Sequence, residues 1–174
     1  CTSLLSASTE QEKRMNKLYD RAYFGRWYRN SKHERASRVL LERKVHLAVS
    51  VAEYYLERPI KSVLDVGCGE AVWRSALLKL RPKIDYRGVD SSDYAVSKFG
   101  RTRNIAYAQF SQLEQLRFGA PADLLICSDV MHYLSDSEFK RGLKGFSELC
   151  QGVAFLELWS SEDDIVGDKI GFIE

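Results

Sequence analysis

Val63-Leu64-Asp65-Val66-Gly67-Cys68-Gly69-Glu70-Ala71 is the stretch on which the fold of this chain turns. Val63, Leu64 and Val66 are the apolar letters of a strand covered on both faces, and Asp65 interrupts them where the strand should end. Gly67 and Gly69 then form a turn that lets backbone and ligand approach closely. A buried strand running into a ligand-binding glycine turn is therefore expected here.

Downstream, apolar and helical patterns alternate. Val72, Trp73, Ala76, Leu77 and Leu80 give one face of a helix that Arg81-Pro82 ends, the crossover of a βαβ unit. A second strand, Ile84 to Val89, closes at Asp90, and Ser91-Ser92 can cap a helix bearing Tyr94, Ala95, Val96 and Phe99, with Gly100 as its stop. A third strand around Ile105 to Gln109 leads into a connector, Ser111 to Pro121. The fourth, Ala122 to Cys127, ends in Ser128-Asp129-Val130-Met131-His132-Tyr133. Ser135-x-x-Glu138 is a capping box for a helix carrying Phe139, Leu143, Phe146 and Leu149, ended by Gly152. Val153 to Trp159 makes a fifth strand. Such alternation predicts a three-layer α/β/α, Rossmann-like fold with a mostly parallel sheet and right-handed crossovers.

Upstream the pattern is helical. Thr9-x-x-Glu12 offers a capping box for a helix with Met15, Leu18, Tyr19 and Ala22 on one side, running to about Tyr23, with Gly25 marking a bend. Between Arg29 and Lys44 basic residues outnumber acids, which predicts a solvated helix face rather than a phosphate-contacting stripe, because no base-stacking aromatics are interleaved. From Leu41 to Leu56 an apolar stripe continues the helix until Pro59 stops it. Residues 1–58 thus form an N-terminal helical cap, and residues 59–174 a ligand-binding domain.

Composition narrows the class. With 174 residues, 45% of them hydrophobic and 29% charged, the chain suits one soluble globular domain. A formal charge of +2 gives no strong pull toward nucleic acid or an anionic membrane. The four cysteines lack the short paired spacings of a zinc site and read as thiols in a reducing compartment. No apolar run of ~18 residues occurs, so a soluble, cytoplasmic protein is expected. Cys1 in place of Met predicts a trimmed chain.

In an open parallel sheet the ligand lies beyond the carboxyl ends of the strands, at the switch point where winding reverses. Polar letters collect at that edge: Asp65 to Gly69, Asp90, Gln109 to Gln112, and Ser128 to His132. A carboxylate closing the second strand is placed to accept both hydroxyl hydrogens of a ribose, so a nucleoside is expected at Asp90. The G-x-G-x-x-G spacing of dinucleotide sites is missing, with Trp73-Arg74 near the third glycine's place. Asp65 and Glu70 would repel a pyrophosphate but suit a ligand with an ammonium or sulfonium centre.

Val63-Leu-Asp-Val-Gly-Cys-Gly69, the spacing to Asp90, and Asp123-Leu-Leu-Ile-Cys-Ser-Asp-Val-Met-His-Tyr-Leu134 together resemble the class I S-adenosylmethionine-dependent methyltransferases of the small-molecule-type group. The resemblance covers about Val63 to Trp159. It implies S-adenosyl-L-methionine as cofactor, S-adenosyl-L-homocysteine as product, and methyl transfer to an oxygen or nitrogen of a small-molecule acceptor. It places Asp65, Gly67, Cys68 and Gly69 by the methionine part, Asp90 on the ribose and Ser91 beside the adenine. Ser111, Gln112 and Leu113 fall where relatives contact the adenine amino group, here without the usual acid. Ser128 and Val130 correspond to the wall beneath the reacting methyl.

His132 is the candidate general base, with a structural role under a helix cap weighed equally against it. Tyr19, Tyr23, Trp27, Tyr28 and Tyr133 are the candidate acceptor pocket. Ala71 replaces the third family glycine. The usual fold adds two strands after the fifth, so the sheet is expected to be truncated there, or completed by a second copy in a homo-oligomer. Neither a metal nor a nucleic-acid or membrane partner is expected. Two other functions stay open: a non-catalytic methyltransferase-like interaction module, and an NAD-dependent oxidoreductase.

Overall fold

The computed structural model describes residues 19–28 and 31–159, with backbone only for 26–28 and 31–36. Helix α1 (Arg21–Tyr28) and the long α2 (Ser31–Leu56) lead into β1 (Ser62–Val66). There follow α3 (Val72–Leu80), β2 (Asp85–Asp90), α4 (Asp93–Arg103), β3 (Ile105–Tyr107), β4 (Ala122–Ser128), α5 (Asp136–Leu149) and β5 (Cys150–Glu157). Single 3-10 turns at Phe110–Gln112 and Met131–Tyr133 sit before and after β4. Every strand pair is parallel, and the order is β3-β2-β1-β4-β5. The chain winds outward from β1 to β3 and then crosses to the other side of β1 with β4. The switch point therefore lies between β1 and β4.

Two apolar layers hold the sheet. Val63, Tyr86, Leu124 and Ile126 face α2 and α3, where Val45, Val49, Ala52, Trp73 and Leu77 close the first. Leu64, Val66, Val89, Leu125 and Cys127 face the other way onto Phe110, Leu113, Met131 and Leu149. Burial on alternate sides of each strand is what near-continuous apolar strands require. At the amino edge, Asp123 accepts two hydrogen bonds from Arg58 (2.9 and 2.8 Å), one from Lys61 N–H (2.6 Å) and one from the Gln151 amide (2.9 Å). The Arg58 guanidinium holds that carboxyl well below the usual range. This lock stands far from the ligand edge.

Several glycines play a different part from the one expected. Gly25 lies inside α1 rather than at a bend: the helix starts at Arg21 because the Asp20 carboxylate accepts the N–H groups of Ala22 and Tyr23, both at 2.9 Å. Gly100 does not end α4, which runs on to Arg103 and stops at Asn104 in a left-handed conformation (φ 57°). Gly152 lies within β5, not at a helix end; a Cβ there would fall 2.1 Å from the Asp123 carbonyl oxygen, beside the register shift between β4 and β5. β3 is shorter than expected, as Ile105–Tyr107, and β2 keeps its expected length but lies one residue later, as Asp85–Asp90. The capping boxes confirm one expectation, Ser135 with Glu138, whereas the one at Thr9 lies outside the described residues, as do Cys1 and residues 160–174. Among the described helices none is long and apolar enough to cross a membrane.

Candidate active site

The glycine turn is tied to the end of β2 by backbone and side chain. Gly67 (φ 68°) and Cys68 donate their N–H groups to the Val89 carbonyl at 2.8 and 3.2 Å. Gly69 (φ 53°) donates to Asp90 Oδ2 at 2.7 Å, and Ser92 N–H to Asp90 Oδ1 at 2.8 Å. Each Asp90 oxygen thus accepts one bond and keeps a lone pair for a ligand hydroxyl. Burial raises the Asp90 pKa against the pull of those two N–H groups. Ala71, where the family pattern has glycine, is itself left-handed (φ 55°), a conformation that costs a non-glycine residue roughly 1 kcal/mol. It precedes α3, whose first turn has no side-chain cap.

Asp65 lies beneath this turn, not along it. Its carboxyl is 2% exposed and accepts the Tyr86 hydroxyl at 2.6 Å. Burial pushes its pKa up to about 7, the Tyr86 bond pulls it down, and the charge of Asp90 raises it further. Cys68 is also sealed, against Gly88, where a Cβ would lie 2.6 Å from its sulfur; burial pushes its thiol far up. Both residues can influence a ligand only through field and backbone.

Ser128 and Val130 stand opposite, at the end of β4. A Cβ on Gly67 would come within 2.3 Å of Val130 Cγ2, so the turn and the β4 wall meet at that point. Ser128 donates its hydroxyl to Glu157 Oε2, and Lys44 of α2 is paired with Glu157 Oε1. His132 is 2% exposed, with Nε2 3.6 Å from Asp129 Oδ1 and its ring 4.0 Å from that of Tyr133. Its burial removes it from the surface an acceptor would meet.

An aromatic cluster covers the edge. Tyr19 packs edge-on against Tyr23 (5.1 Å) and Tyr133 (6.5 Å), and Phe24 stacks on Tyr94 at 5.5 Å. Ser92, the N-cap of α4, fastens the cover by donating its hydroxyl to the Tyr19 carbonyl at 2.6 Å. Burial pushes the Tyr133 hydroxyl far up, helped by Tyr23 and by the charge of Asp129. The structure thus brings together Tyr19, Tyr23 and Tyr133; Trp27 and Tyr28 lie on α1, and their side chains are outside the described residues.

Beyond the ends of β2 and β3, Ser91 is exposed and Ser111 half-buried. Leu113 is fully buried in the second core layer, so its side chain lines no cleft. The Gln112 amide oxygen is taken by Gln109 N–H at 2.8 Å, leaving its NH2 as donor. Phe24, Tyr94, Lys44, Glu157 and Trp159 were missed, since only the tertiary fold brings them to this edge. A cavity of about 140 Å³ at the opposite, amino edge includes Arg87, Arg117, Phe118 and Glu148. Its arginines are engaged within the chain, Arg87 on the Phe118 carbonyl and Arg117 on Glu148.

A family model described as "Methyltransferase domain" matches residues 64–152. No curated relative matches the sequence. Among solved structures, Streptomyces venezuelae DesVI is similar with a TM-score of 0.56 and 17% identity, over 72% of this chain and 54% of that one. The sugar N-methyltransferase KedS8 from Streptoalloteichus sp ATCC 53650 follows with 0.56 and 20%, over 71% and 51%. The plantazolicin methyltransferase BamL, in complex with a triazolic desmethylPZN analog and SAH, gives 0.53 and 20%, over 83% and 56%. The chain spans about half the length of these proteins, and at such identity the likeness concerns the fold. The family match, in contrast, takes in just over half of the 174 residues, including the glycine turn, Asp90 and β4 through His132. The chain belongs to the methyltransferase domain family.

Proposed function

We propose that this chain is the cofactor-binding part of an S-adenosylmethionine-dependent methyltransferase acting on an oxygen or nitrogen atom of a small-molecule acceptor. The observation that carries it is the Gly67–Gly69 turn held on the Asp90 carboxylate at the switch-point edge. Asp90 would take the ribose hydroxyls on its remaining lone pairs, and the turn would lie along the methionine part. Ser91 and the backbone of 111–113 would flank the adenine. The residues present fit such a ligand: each Asp90 oxygen, holding one N–H of the turn or of Ser92, has a lone pair left for a ribose hydroxyl. When bound, the cofactor supplies a methyl group already activated on a sulfonium, suited to in-line displacement.

What this chain then contributes is alignment and exclusion of water. Val130 and Ser128 form the wall toward the acceptor, and the Tyr19, Tyr23 and Tyr133 rings cover it. His132, buried beside Tyr133, would support Asp129, the exposed partner of that pair, rather than face the acceptor as a base. Residues 1–58 serve as the cap and 59–174 as the cofactor domain, in a cytoplasmic protein. Isothermal titration with S-adenosylmethionine, its demethylated product and NAD is the test. Asp90→Ala should weaken the first two by about 1.5 to 3 kcal/mol, the scale of hydrogen bonds to a charged group. Binding of NAD alone would overturn the assignment, and unchanged affinity in Asp90→Ala would show the ribose to be elsewhere.

A further inference from the structure

Two carboxylates stand at the carboxyl ends of β4 and β5, and they differ in what they have left to offer. Glu157 is filled: Lys44 takes one oxygen and Ser128 the other. Asp129 is open. Its side chain is 61% exposed, and its Oδ1 accepts the Trp159 indole N–H at 2.6 Å. Its Oδ2 has no hydrogen-bond partner among the described residues. The backbone at Asp129 is left-handed (φ 62°), which turns the residue out of the strand line, and its N–H is tied back to the Glu157 carbonyl at 3.0 Å. The carboxylate is thus fixed in place, next to Val130 where β4 meets the glycine turn.

Rings stand on one side of it. The Trp159 indole N–H holds one oxygen, the His132 ring nitrogen lies 3.6 Å from that same oxygen, and Tyr133, its ring 4.0 Å from that of His132, leads on to Tyr19 and Tyr23. An exposed, positioned anion with one oxygen still open is a receptor for an organic ammonium through a charge-assisted hydrogen bond. A hydroxyl acceptor carries no charge for Asp129 to hold, and the sealed His132 presents it no imidazole base.

Resting on the methyltransferase function above, we propose that Asp129 binds the methyl acceptor and that this acceptor is an amine. Asp129 holds the ammonium form for capture, and the neutral amine, after losing a proton to solvent, is the nucleophile. Its nitrogen lone pair forms the new C–N bond while the methyl–sulfonium bond breaks and leaves its electron pair on sulfur. The N-methylated ammonium so formed leaves as it is or sheds a second proton to solvent.

The test uses matched pairs, tyramine against tyrosol and glucosamine against glucose, titrated calorimetrically into the protein saturated with S-adenosylhomocysteine. The amine of at least one pair should bind at least about tenfold more tightly than its hydroxyl counterpart, and Asp129→Asn should abolish that preference. Asparagine tolerates the left-handed backbone, so the variant keeps the loop; circular dichroism checks this. Absence of amine binding, equal binding of the hydroxyl compounds, or a preference that survives in Asp129→Asn overturns the assignment. Failure of S-adenosylhomocysteine itself to bind would instead bring down the methyltransferase function beneath it, and this assignment with it.

Discussion

Replacing Asp65 by asparagine should change how stability depends on pH. An ordinary aspartate titrates near 3.8, whereas Asp65 is pushed up to about 7, chiefly by burial. The folded protein therefore holds this proton more tightly than the unfolded chain. Stability from this group is fully present below the unfolded value, falls as pH rises between the two values, and levels off above about 7. A gap of roughly three units corresponds to about 4 kcal/mol in all, of which about 2.5 kcal/mol falls between pH 5 and pH 8. Asparagine keeps an acceptor for the Tyr86 hydroxyl and adds an NH2 whose unmet bonds cost about 1–3 kcal/mol at every pH. Urea unfolding of both proteins at the two pH values isolates the titrating part. The variant should gain about 2.5 kcal/mol relative to wild type on going from pH 5 to pH 8. Asp90, also raised by burial, is common to both proteins and largely cancels. Parallel pH profiles with equal denaturant slopes would show that Asp65 is solvated or paired with a cation, and the account of its burial would be wrong.

Two backbone positions give further checks. Gly67→Ala places a methyl group 2.3 Å from Val130 in a left-handed conformation, so it should destabilise by about 1–3 kcal/mol and weaken S-adenosylhomocysteine binding; a neutral effect in both thermal unfolding and calorimetry would mean the turn and the β4 wall do not meet. Gly152→Ala meets the Asp123 carbonyl oxygen and should cost about 3 kcal/mol in denaturant unfolding, while the cofactor affinity of the folded fraction is unchanged; a loss under 0.5 kcal/mol, on the order of an ordinary surface change, would refute the close approach of β5 to β4.

Most of the sheet was legible because parallel strands buried on both faces leave long apolar runs, and because Ser92 and Ser135 mark helix starts by local chemistry. The glycine turn and Asp90 were legible for the same reason, as strand ends in an otherwise apolar pattern. Glycines were the weak point. Gly100 and Gly152 look like terminators in a string of letters, yet Gly152 is there so that two backbones can approach, which depends on a strand about 30 residues away. Asp65 reads as a strand-end ligand contact, but side-chain alternation turns it toward Tyr86 and the core. The Lys44, Ser128 and Glu157 cluster joins three elements distant in the chain, and no spacing rule could have found it.

The pairing of β1 with β4 also bears on how the chain acquires its function. Val63 lies opposite Leu124, about 60 residues later, so the central seam of the sheet is also one of its most non-local contacts. Closing so long a loop is slow, and its entropy is lost before the contacts it brings can compensate. Gly67 and Val130, the two sides of the cleft, cannot face each other until that seam has formed. During synthesis a chain that has reached β3 already has its glycine turn and Asp90, but it has no opposite wall. Cofactor affinity in a refolding experiment should therefore rise with the last kinetic phase, after helical signal has recovered, and so serve as a clock for completion of the fold.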